Sequence, residues 1–226
     1  MTASFLYKAD EEKGRNLPLL RLRRGTVPGI RRGRADFAIM KKRLGNFRRE
    51  AMKMEEKEGL AALPKEALIE LLGIYAKDWL AMDGVWFQAV ERAWGMEAAM
   101  RCDVEIWERF TAIEAGKIKK FLGLSERPGL DGLEKALRFR LYARINRDES
   151  RREGDALIYR TLTCRVQHAR KAKGLPYHPC KAVGLVEYGG FARAIDPRIR
   201  CECLSCYPDV TDESCACAWR FTLEEV

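Results

Sequence analysis

From Pro64 onward the apolar residues fall on a helical period. Leu68, Leu71 or Leu72, Tyr75, Trp79, Met82 and Trp86 recur three or four positions apart, which predicts an amphipathic helix with Pro64 in its first turn. Gly84 costs such a helix about 1 kcal/mol relative to alanine, so a bend or break is expected near Asp83 and Gly84, and Gly95 ends the unit. A second helix is predicted from about 97 to 121, with Ala99, Cys102, Ile106, Phe110 and Ile113 along one stripe. Gly123 and the turn at 125–129 close it.

The period then changes to two. Leu137, Phe139, Leu141, Ala143 and Ile145 alternate with Arg138, Arg140, Tyr142 and Arg144, predicting a strand with one apolar face. A second strand is expected over 156–167, with Ile158, Leu162, Cys164 and Val166 inward. The polar stretch 146–154 would join the two as a hairpin. After the breakers between Gly174 and Pro179, residues 180–195 read as a short helix, despite the adjacent Gly189 and Gly190. Strands at about 199–204 and 217–223 follow. Helices first and antiparallel strands afterward define an α+β class, an N-terminal helical half packed on a small C-terminal antiparallel sheet.

Composition supports folding and locates the charge. Of 226 residues 47% are hydrophobic and 33% charged, a globular balance. The net charge of +9 suggests a polyanionic partner until it is placed: residues 1–53 carry 15 Lys/Arg against 5 Asp/Glu, leaving 27 against 28 for residues 54–226. Residues 14–34 interleave arginines with glycines and prolines, so residues 1–53 are expected to be a basic flexible tail before a single domain at 54–226. Nucleic acid would bind through that tail if anywhere; the plainer reading is a solvated extension. No apolar run has the length of a membrane span and the first residues lack the build of a secretion leader, so no membrane partner and a cytoplasmic location are expected.

Eight cysteines in such a compartment argue for thiols, metal ligation or redox chemistry rather than disulfides. Cys203 and Cys206 form a C-x-x-C pair, and Cys215 and Cys217 a C-x-C pair. Two thiolates two residues apart can bend around one tetrahedral zinc ion. The candidate ligands are Cys180, Cys203, Cys206 and Cys217, with Cys164 a further possibility. The alternatives are a nucleophilic or redox thiol and passive, buried thiols. Histidine is scarce. His178 lies two residues before Cys180, where an imidazole could activate a thiol; the plain alternative is a surface loop histidine. Asp83 and Asp103 border the apolar stripes of the two predicted helices, and a carboxylate there is either paired or faces a pocket. The five tryptophans, Trp79, Trp86, Trp94, Trp107 and Trp219, read first as core. Phosphate-loop, dinucleotide, H-E-x-x-H and G-x-S-x-G motifs are all missing.

The succession Trp79…Asp83-Gly84-Val85-Trp86, Glu91…Gly95-Met96-Glu97-Ala98, Cys164-Arg165-Val166-Gln167…Arg170, Pro179-Cys180-Lys181, Ile195-Asp196-Pro197-Arg198-Ile199, Cys203-Leu204-Ser205-Cys206-Tyr207-Pro208-Asp209 and Cys217-Ala218-Trp219-Arg220-Phe221 resembles a group of uncharacterised bacterial and archaeal cytosolic proteins similar to the L-2-amino-thiazoline-4-carboxylate hydrolase-like proteins. The resemblance spans roughly residues 60–224. It implies a small-molecule site built from the C-terminal cysteines, for hydrolysis of a C=N bond in a sulfur-containing ring or an amidine. Cys201 and Cys215 stand outside its pattern. The reading that follows is a small-molecule hydrolase acting on a C–N or C–S bond, with Cys180 or Cys206 as nucleophile or metal ligand, His178 as base and Asp209 as polar orienter. The contrasting reading is a non-enzymatic ligand-binding module whose cysteines hold a structural zinc.

Overall fold

Gly95 decides the shape of the helical half. The computed structural model describes residues 59–224, and inside helix α1, Lys65–Phe121, Gly95 alone leaves helical geometry, at φ 85° and ψ 168°. That region is open essentially to glycine alone. There the chain folds back on itself, bringing Trp79 of the first arm (65–94) against Trp107 and Phe110 of the second (96–121), at 6.2 and 5.7 Å between ring centres. The break expected at Asp83 and Gly84 does not occur, because Gly84 keeps helical geometry in an arm whose aromatic face is packed on its partner. The described residues from Ala62 onward form one compact unit. The expected basic tail, with its nucleic-acid reading, lies outside the described residues.

A short helix, α2 (Gly129–Leu137), and a 3-10 turn at Leu141–Arg144 follow. They occupy the place of the strand predicted over 137–145. The alternation was accidental: Leu130, Leu133, Ala136 and Leu137 are buried at helical spacing, Phe139 is exposed, and Arg140 points inward to bury its charge. The polar stretch expected to be a connection is itself strand β1 (Arg147–Glu153), a charged edge strand paired antiparallel with β2 (Ala156–Thr163). Residues beyond Thr163 turn into helix α3 (Arg165–Ala172) instead of prolonging β2.

Helix α4 (Lys181–Ile195) and strands β3 (Ile199–Cys206) and β4 (Cys217–Leu223) complete the α+β architecture, a helical N-terminal half on a four-stranded antiparallel sheet ordered β1-β2-β4-β3. α4 is the middle layer, packed on both α1 and β3. Its glycines serve close approach: a Cβ at Gly184 would lie 2.5 Å from the Trp219 ring, and one at Gly190 would lie 2.8 Å from the Thr111 hydroxyl of α1. Gly184 thus lets α4 approach the sheet and Gly190 lets it approach the hairpin. Phe191, Ile195, Leu133, Leu157, Trp219 and Phe221 form the heart of the core. No helix among the described residues is long and apolar enough to cross a membrane.

Candidate functional site

Two carboxylates tie α4 to the second arm of α1 through one guanidinium. Arg140, 2% exposed, places Nε 2.9 Å from Glu114 Oε2 and Nη2 2.8 Å from Glu187 Oε1, with its plane over the rings of Phe191, Tyr188 and Trp107. Glu114 also accepts the Leu141 N–H at 3.0 Å. Burial outweighs Arg140's attraction at Glu187 and pushes its carboxyl up to about 7. This clamp fixes the helix whose first turn carries Cys180 against the arm that carries Asp103.

The loop before α4 is held just as firmly. Arg170 of α3 makes a bidentate pair with Glu91 of the first arm, 2.8 Å on each side, and donates to the Pro176 carbonyl. Gln167, one turn earlier, accepts the His178 N–H at 2.9 Å and donates to the His178 carbonyl at 2.7 Å. Its amide nitrogen also reaches Cys180 Sγ at 3.2 Å. The His178 ring, buried, packs on Phe87 at 4.6 Å.

So held, His178 joins two groups that are far apart in the chain. Its Nδ1 lies 3.1 Å from Cys180 Sγ and its Nε2 lies 3.1 Å from Asp103 Oδ2. With Asp103 accepting the Nε2–H, Nδ1 is left as the acceptor that faces the thiol. Burial, reinforced by Cys164, Cys217, Glu187 and Asp103, pushes the Cys180 thiol well above its ordinary value. The resting thiol is therefore protonated, and a reaction there needs proton transfer to His178 during attack. The proximity of His178 to Cys180 was readable from sequence. Asp103 was marked as an interior carboxylate but not as the partner of His178. Gln167, Arg140, Glu114 and Glu187 had no local signal, because their partners lie on other elements.

The other sequence candidates lie elsewhere. Asp209 is exposed and pairs with Lys181 Nζ at 2.7 Å, so it does not orient His178. Cys206, 1% exposed, sits in the core opposite Cys217 on the β3–β4 ladder. Cys217 is held below its ordinary value by the hydrogen bond from Cys206 and by the Trp219 N–H at 3.3 Å, while that same bond and burial push Cys206 up. Cys203 is half-buried on the same strand. The register of β3 shifts between Cys203 and Ser205, and this irregularity brings the Cys203 thiol within hydrogen-bonding reach of Cys206. Among the described residues no three His, Cys, Asp or Glu side chains stand together as a group that could hold a metal ion. Cys215 turns toward Asp212, and burial pushes Cys164 up to about 11.

An aromatic cleft of about 410 Å³ opens between the arms of α1, lined by Trp79, Met82, Asp83, Trp86, Ile106, Trp107 and Phe110. A smaller recess shares Asp83, Trp86 and Ile106 with it and ends at Phe87 and Asp103, the residues that hold the His178 ring. Tyr142 stacks on Trp107 and meets Trp79 edge-on, forming part of the same aromatic body. Trp86 is 57% exposed, so the first arm presents tryptophan to a cleft where sequence favoured core. Residues 61–223 match a family model described as a family of unknown function, DUF6125. No curated protein and no solved structure matches the chain.

Proposed function

We propose, for a chain that belongs to this family of unknown function, a thiol-dependent hydrolase of small molecules that cleaves a C–N or C–S bond at Cys180. The observation that carries the reading is the continuous line from Cys180 Sγ through His178 to Asp103, 3.1 Å at each contact. The resemblance to thiazoline-carboxylate hydrolase-like proteins enters as part of the same proposal and names the first substrates to try.

Cys180 attacks the electrophilic carbon of a C=N group, its proton passing to His178 Nδ1 while Asp103 stabilises the imidazolium. The tetrahedral adduct collapses, and the departing amine or thiol takes the proton from His178. Water then attacks the thio-intermediate, giving its proton to His178, and the bond to sulfur breaks to restore the thiol. The N-terminus of α4, at which Cys180 sits, favours negative charge as it develops on the sulfur and on the adduct. Gln167, already bonded to Sγ and to the His178 backbone, keeps the pair aligned.

The test compares Cys180→Ala with Cys206→Ala on thiazoline and amidine substrates. Cys180→Ala is expected to lower turnover by about 1,000-fold or more, as loss of a nucleophile does elsewhere, and Cys206→Ala to retain it. Unchanged turnover in Cys180→Ala removes the reading.

A further inference from the structure

We propose that the cleft between the arms of α1 binds a small organic cation, with its positive group against Asp83 and its body between the rings of Trp79, Trp86 and Trp107. The binding claim stands on the cleft itself. Only its assignment as the substrate pocket rests on the thiol-hydrolase reading, which it narrows to cationic substrates such as amidinium or ammonium compounds.

Three observations point to a cation. The walls are aromatic: Trp79, Trp86, Trp107 and Phe110 line a space of about 410 Å³, and tryptophan is the side chain that attracts a cation best. That volume lies in the range of small-molecule sites. The single charged group in the lining is Asp83, and among the described residues no hydrogen-bond donor pairs with its carboxylate. The one group that acts on it in the opposite sense is His178, whose ring nitrogens are engaged with Asp103 and Cys180. The cleft therefore holds a carboxylate with no partner of its own among aromatic side chains. A neutral apolar ligand would strip water from Asp83 and return nothing for it, and an anion would meet repulsion from both Asp83 and Asp103.

Burial and the neighbouring Asp103 push the Asp83 carboxyl up to about 6, a cost that an incoming cation offsets. A narrow recess joins Asp83 to Asp103, the carboxylate that holds the imidazole facing Cys180, so the cleft and the thiol share one acidic neighbour. The sequence order explains how the two meet: Asp83 and Asp103 lie on opposite arms of the reversal at Gly95, and the hairpin brings both to the same recess.

Calorimetric titration of the full-length protein with benzamidine and with its neutral isostere benzamide tests the proposal. Benzamidinium should bind about tenfold or more tightly than benzamide, since pairing with one carboxylate and an aromatic wall contributes on that scale. Asp83→Asn should erase the preference, and Trp86→Leu, at an exposed position, should weaken benzamidinium several-fold with the fold intact by circular dichroism. Equal binding of the two probes, no binding of benzamidinium, or a preference unchanged in both variants overturns the proposal. Cys180→Ala separates the two readings, because it should keep benzamidinium affinity while turnover is lost. Retained turnover in that variant defeats the thiol mechanism and leaves the cation site standing.

Discussion

Replacing Arg140 with methionine probes the clamp on which the site's geometry depends. Arg140 is 2% exposed, its partners Glu114 and Glu187 are each 8% exposed, and the two ion pairs are 2.9 and 2.8 Å long. Methionine keeps most of the apolar stem against Phe191, Tyr188 and Trp107 but removes the only positive charge between two buried carboxylates. Glu114 retains the Leu141 N–H, so the orphan is chiefly Glu187. Removing one member of a buried pair costs about 3–5 kcal/mol, because the remaining charge has no compensation. The loss should depend on pH in a fixed direction. The Glu187 carboxyl sits at about 7 with Arg140 present, above its ordinary 4.5, and goes higher without it. A carboxyl raised in the folded state contributes stability below its unfolded value, and that stability is lost as pH rises through the folded value. The variant's penalty should therefore be largest near about pH 8 and shrink toward about pH 5. Urea unfolding at both values measures it, and Arg140→Met with Glu187→Gln should recover part of the loss at the higher pH. A penalty below about 1 kcal/mol, or one equal at the two pH values, would refute the claim that Arg140 is a buried counter-ion.

Asp103→Asn removes the negative charge that stabilises imidazolium and weakens the preference for the tautomer with Nδ1 free. Alkylation of Cys180 by iodoacetamide, followed by peptide mass mapping to separate it from the other thiols, should slow about tenfold or more; an unchanged rate means Asp103 does not act through His178. Gly184→Ala puts a Cβ 2.5 Å from the Trp219 ring, which is 1% exposed and cannot move aside, so it should destabilise by about 1–3 kcal/mol despite better helix propensity. Gly73→Ala, with nothing within 4 Å, should instead stabilise by about 0.5–1 kcal/mol. Thermal melts compare the pair, and equal shifts would show that the contact of Gly184 with Trp219 does not limit packing.

Much of the frame was legible because periodicity survives in single elements. The arms of α1, the position of its reversal, α4 and the strands β3 and β4 follow from apolar spacing and from Gly95. The two misreadings around β1 share one cause, charged side chains doing unusual work. Arg140 alternated with apolar neighbours and so mimicked the outer face of a strand, when its ion pairs put it inside. The charged run 147–153 looked like a connection because an edge strand with few buried residues has no apolar stripe. At the site, His178 and Cys180 are sequence neighbours, whereas Asp103 lies 75 positions away and was visible only as an acid beside an apolar stripe. Asp209 has the right chemistry and lies near Cys206 in sequence, but the turn after β3 takes it to the surface and to Lys181. Residue type could not separate these two aspartates. Topology does.

The burial that keeps the Cys180 thiol protonated also limits when it can react. Cys180 is kept neutral by burial among Cys164, Cys217, Glu187 and Asp103, an acid-rich interior in which a second negative charge is costly. A resting thiolate would be more nucleophilic, yet it would also be open to alkylation and oxidation in the absence of substrate. On the proposed function, a cation beside Asp83 lies nearer His178 than Cys180, so it opposes the imidazolium at least as much as it favours the thiolate, and the charge of Asp103 has to hold the imidazolium against it. On that reading the thiol stays protonated until an electrophilic carbon is within reach, and its proton moves to His178 only as the bond to carbon forms, which makes Asp103 the residue on which turnover of a cationic substrate depends most.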